Sequence, residues 1–82
     1  MNTVQILGNL TRDPEVRYTQ SGKAVATFNV AASNTFTSSD GEMKEQTAFI
    51  SCVAWGKLGE AVGNYRKGNR LFVEGRIQTR SY

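Results

Sequence analysis

Phe49 and Trp55 occupy odd positions of one alternating segment, and Arg76, Gln78, Arg80 and Tyr82 share one register of another. Rings set beside cationic side chains are what a single strand of nucleic acid requires. Any base stacks on a ring, at about 1–3 kcal/mol per base, while the cations follow the phosphates. Phe36 opens a polar stretch where a core role is hard to arrange, and it joins the set. Such chemistry needs no base-sequence code. A duplex would call for a helix or ribbon shaped to a groove, and the one helix expected here is short and interrupted by glycine.

Each of these residues has an ordinary alternative. Aromatic side chains on strands most often pack in the core or across strands, and surface lysines and arginines are mostly just solvated. Phe28 and Phe72 are assigned to packing on that ground. Phe36, Phe49, Trp55 and Tyr82 gain weight jointly, because they fall on exposed registers beside loops or basic residues. Arg17, Lys57, Lys67, Arg76 and Arg80 are the cations weighed, and a minority of them is expected to touch a ligand. Cys52 reads as a small buried hydrophobe, and Gly8, Gly56, Gly68 and Gly75 as backbone geometry.

To carry these side chains on one surface, the chain needs strands with a sealed second face. Thr3–Leu10 reads as a first strand bending at Gly8, and Arg12–Glu15 as a turn set by Pro14. Val16–Tyr18 fits a short strand before Ser21-Gly22. Lys23–Asn34 alternates strictly, with Ala24, Ala26, Phe28, Val30 and Ala32 on one face. Thr35–Glu45, with its Asp40-Gly41 turn signal, is expected as an extended loop. Thr47–Trp55 is the third strand, and Lys57–Arg66 has helix spacing with Gly68 beyond it. Asn69–Tyr82 is the last strand, with Leu71, Val73, Ile77 and Thr79 pointing inward. The order strand, strand, strand, helix, strand describes an all-β OB-fold Greek-key barrel with one short helix between strands 3 and 4, on a single domain over residues 1–82. A fifth strand would be needed to close that barrel, and none follows in the sequence.

Composition bounds the alternatives. The 82 residues are 39% hydrophobic and 21% charged, enough for one core and unlike a disordered tail or a coiled coil. One cysteine and no histidine exclude an intrachain disulfide and the usual nitrogen and sulfur metal sites, so no metal or cofactor is expected. No apolar run approaches the roughly 20 residues that span a bilayer, and no signal segment opens the chain, which leads to a cytoplasmic expectation. The net charge is +3, and Lys57 to Tyr82 alone carry +4. Without histidine or a glycine-rich phosphate loop, and with acids spread over turns, no base or nucleophile is positioned, so an enzyme is not expected.

The motifs Gly8-Asn9-Leu10, Asp13-Pro14-Glu15-Val16-Arg17-Tyr18, Gly41-Glu42-Met43-Lys44-Glu45-Gln46-Thr47, Trp55-Gly56-Lys57-Leu58 and Val73-Glu74-Gly75 follow one another in an order that resembles the bacterial single-stranded DNA-binding proteins. The similarity covers residues 3–82. It implies a homotetramer that wraps single-stranded DNA during replication, recombination and repair. It places four stacking platforms at Phe36, Phe49, Trp55 and Tyr82, with Lys57, Arg76 and Arg80 as phosphate partners. It also implies dimer formation through paired first strands, giving Thr3, Val4, Gln5, Ile6 and Leu7 an interface role. The family's fifth strand and acidic-tipped tail are not found after Tyr82. A fragment is therefore expected, with replication and repair proteins as partners only where a full-length chain carries the tail. Two alternatives on the same fold are a primosomal accessory protein and a protein-interaction module whose aromatics form an interface.

Overall fold

The computed structural model describes residues 1–79. Five strands and one helix follow in the order β1 (Val4–Leu10), β2 (Glu15–Tyr18), β3 (Ala24–Thr37), β4 (Met43–Trp55), α1 (Gly56–Val62) and β5 (Arg70–Gly75). β3 is the hub. One of its edges pairs with β4 along its length, from Val25↔Trp55 to Thr37↔Met43. The other edge is shared by β2, from Glu15↔Thr27 to Tyr18↔Ala24, and by β1 at Asn9↔Ala31 and Leu10↔Val30. β5 pairs with the far side of β1, from Val4↔Gly75 to Asn9↔Arg70. All four pairings are antiparallel, β4 and β5 do not pair, and the sheet curls without closing. Leaving the short β2 aside, the helix lies between the third and fourth strands, as expected for an OB fold.

Alternation sets the core. Every second residue of β3 from Ala24 to Val30 is buried, and Leu10, Ala26, Phe28, Val30, Ala54 and Val62 form one cluster. Ile6, Val16, Cys52, Leu71 and Val73 pack against it, only partly buried. Cys52 is thus half-buried rather than sealed, and desolvation alone raises its thiol pKa. Ile77, expected inward, is exposed because regular pairing stops at Gly75.

Three boundaries differ from the sequence reading. The expected loop over residues 35–45 is mostly strand. Thr35, Phe36 and Thr37 favour extended backbone and find partners in Glu45, Lys44 and Met43. Only the tip turns: Ser38 N–H donates to Glu42 O at 2.8 Å, Gly41 N–H donates to Ser38 O at 2.9 Å, and Gly41 takes a φ of 84°. The Asp40 carboxylate accepts the Ser38 hydroxyl and the Glu42 N–H, and these bonds hold its pKa below the ordinary value. The helix ends at Val62 instead of Arg66. Asn64 N–H and Tyr65 N–H donate three residues back, to Ala61 O and Val62 O, so the chain tightens and leaves the helical path. Gly59 weakens that helix intrinsically, yet a Cβ there would stand 2.7 Å from Ala54 O. The missing side chain lets α1 lie directly against the end of β4. The last strand stops at Gly75, beyond which the Asn2 side chain grips Ile77, donating to its carbonyl at 2.8 Å and accepting its N–H at 3.1 Å.

Candidate nucleic-acid interface

Residues opposite each other in an antiparallel pair point to the same face, so the registers give the outer surface of the sheet row by row. Trp55, Val25 and Arg17 form one row across β4, β3 and β2, and Val53, Thr27 and Glu15 form the next. Ser51 and Asn29 follow. Phe49, Ala31, Asn9 and Arg70 then make a row across four strands. Phe49 and Trp55 are 74% and 53% exposed. Six residue steps along the strand separate them, about 20 Å of one face. At one end of that span, Gly56 turns the chain into α1 with a φ of 68°, which glycine adopts freely. Trp55 therefore stays at the strand end, beside the first helical turn.

Several cations converge on this face. The Lys23 ammonium lies 5.5 Å from the centre of the Trp55 ring, in cation–π range. Arg17 donates from Nε to Glu15 Oε1 at 2.6 Å. Asn29 satisfies its neighbours with its nitrogen donating to Ser51 Oγ at 2.9 Å, while its oxygen accepts from Arg12 Nη2 at 3.1 Å and Nε at 3.3 Å. Arg12 and Lys23 escaped the sequence reading, because each reaches the face from a turn through contacts that alternation does not encode.

The sequence-derived residues are placed unequally. Phe49 and Trp55 share the outer face. Phe36 stands opposite Lys44 on the other register of the β3–β4 arm, beyond the body, where it remains exposed. Lys57 is exposed on α1, two residues after Trp55. Arg76 follows β5 and lines a cavity of about 700 Å³ between β4 and β5, as do Trp55 and Gln78. Its floor is apolar, with Phe28, Ile50 and Leu71 among the lining residues. Arg80 and Tyr82 lie outside the described residues.

Of the five expected interface residues, Thr3 precedes β1 and the other four lie within it. From Val4 to Leu7 the strand pairs with β5 on one side and with no described strand on the other. Phe72, assigned to packing from sequence, is 64% exposed, because it faces outward opposite Leu7, which is 50% exposed. Beside them Gln5 Nε2 donates to Glu74 Oε2 at 2.7 Å. This apolar pair with a polar neighbour was legible as an outward register, but Phe72 was counted as core by residue type. Among the described residues no group of three or more histidines, cysteines or acids is arranged to hold a metal, and no helix is long and apolar enough to cross a membrane.

An OB-type sheet with rings and cations interleaved on its outer face defines a class of binding modules. The pattern of the single-strand binding protein family matches residues 1–82, and the chain belongs to that family. It is 49% identical to single-stranded DNA-binding protein 2 of Listeria monocytogenes, over all of this chain and 51% of the relative. It is 51% identical to the single-stranded DNA-binding protein of Enterococcus faecalis, over 43% of that protein's length. With single-stranded DNA-binding protein A of Bacillus subtilis the identity is 48%, over 47% of that relative. The chain thus spans about half the length of the curated relatives it matches. Among solved structures, a deletion mutant of the single-stranded DNA binding protein from Thermus aquaticus superposes with a TM-score of 0.92 and 34% identity, over the whole of this chain and 40% of that one. This likeness supports the OB fold, with the sheet left open between β4 and β5.

Proposed function

We propose that residues 1–82 form one non-catalytic module that binds single-stranded DNA without base preference, in the cytoplasm, during replication, recombination and repair. The observation that carries the reading is the pair Phe49 and Trp55, both exposed on one outer face with cations beside them. Bases stack on the two rings and Lys57, Arg76 and Arg80 neutralise phosphates, at a cost in affinity as salt rises. Tyr82 extends the stacking path. Phe36 adds a platform on the other face of the arm, so a strand touching all the rings crosses the arm's edge. The relatives carry this activity in their names, which supports the same ligand here.

The free edge of β1 from Val4 to Leu7 pairs with the same edge of a second copy, since an open strand edge recruits another strand. Leu7 and Phe72 cover a further contact, and the assembly is a homotetramer. Replication and repair proteins bind through a C-terminal tail where the full-length chain carries one.

The reading is tested by following Trp55 emission while titrating oligo-pyrimidine single strand and duplex at low and high salt. Single strand alone quenches Trp55, the effect weakens with salt, and Phe49→Ala loses about 1–3 kcal/mol of affinity. Equal binding of duplex and single strand by the folded protein defeats the reading.

A further inference from the structure

The expected phosphate partners belong to the helix and the last strand, yet the cations lying directly across the outer face come from the opposite margin. Arg17 ends the Trp55 row on β2. Lys23, in the turn between β2 and β3, places its ammonium over the Trp55 ring. Arg12, in the turn between β1 and β2, reaches the Asn29–Ser51 row between the two rings. Three cations are therefore spread along the stretch of sheet that runs from Trp55 toward Phe49, with Lys23 at the Trp55 ring, Arg12 at Asn29 of β3 one strand away and Arg17 on β2 two strands away.

We propose that Arg12, Arg17 and Lys23 form a second phosphate track along the β2 margin, so that a strand stacked on Trp55 and Phe49 is neutralised from this side as well as from Arg76. Two strand spacings, about 10 Å, separate the Trp55 and Arg17 backbones. A stacked nucleotide and an extended arginine side chain cover that span together. Glu15 holds Arg17 in the free protein through a bond at 2.6 Å, in a pair whose side chains are both largely exposed. Such an exposed pair is weak, so an arriving phosphate takes the guanidinium over from the carboxylate. Glu15 thereby tunes the track, since its charge opposes each phosphate that approaches. The inference rests on the single-stranded DNA reading and extends it to a second row of contacts.

The test measures anisotropy of a labelled oligo-thymidine across a salt series, a readout independent of the Lys23–Trp55 contact. Each neutralised phosphate on a single strand contributes about −0.7 to the slope of log K against log salt, so the triple variant Arg12→Gln, Arg17→Gln, Lys23→Gln flattens the slope by about 2. Its thermal melt, followed by circular dichroism, stays at the wild-type temperature. Glu15→Gln keeps all three cations, removes the opposing charge and tightens binding severalfold at low salt. Wild-type slopes in the triple variant, with single-strand preference intact, overturn the track and leave the parent reading standing. If the triple variant fails to fold, Glu15→Gln decides, and an unchanged or weakened affinity overturns the track. A wild-type protein without preference for single strand over duplex removes both.

Discussion

The two sides of the curled sheet use the same alternation and reach different ends. Where β3 meets β1 and β2, inward residues have neighbours on every side, and Leu10, Ala26 and Val30 are sealed. Where β4 faces β5 across a gap, Ile50, Cys52, Leu71 and Val73 hold equivalent inward positions and stay half-exposed around the cavity. An inward register buries a side chain only when a strand closes over it. The contrast separates what local pattern decides, which face a residue takes, from what topology decides, whether that face is dry.

The largest effect that probes this contrast is on stability. Leu10→Ala on the sealed side costs about 2–5 kcal/mol in urea unfolding, through lost burial and a cavity. Ile50→Ala on the open margin costs nearer 1 kcal/mol, because part of that side chain already meets water. Equal costs would mean that the margin is covered in solution. A smaller effect is expected at the outward patch on β1 and β5. Leu7→Lys lowers the mass found by size exclusion with light scattering, while the same change at Tyr18, exposed on β2, leaves it unaltered. The smallest is local to the arm. Asp40 has its carboxyl held below the ordinary 3.8 by Ser38 and Glu42, so its contribution is present above that value and is lost as pH falls through the lower folded one. The Glu42 amide resonance should shift in that acid window, and Asp40→Asn should abolish the shift.

Much of this was legible in the sequence, for reasons that residue positions make plain. The period-two runs over 24–32 and 47–55 sorted inner from outer residues correctly, because strands have no other way to present side chains. The turn residues Asp40 and Gly41 marked the hairpin, but not its length. The polar composition of residues 35–45 resembled a loop, whereas cross-strand pairing with Met43, Lys44 and Glu45 decided the matter. Helix spacing over 57–66 overran because an amphipathic pattern cannot see that residues 63–65 bond three positions back. Phe72 was lost to its residue type, and Arg12 and Lys23 to distance, since each acts on a neighbour that only the folded sheet supplies. The rings Phe49 and Trp55 could be found from register alone. Of the cations around them, Arg17 and Lys57 could be found as well, whereas Arg12 and Lys23 could not.

The Lys23–Trp55 contact has a geometric result that goes beyond charge. A lone indole offers two equivalent sides to a visitor, but with an ammonium 5.5 Å from its centre on one side, this ring has a front and a back. On the proposed reading, a base stacking on the side that the ammonium holds must first displace the lysine. One side chain thus makes the two sides of this ring unequal, and any strand that stacks there meets a surface with a built-in direction.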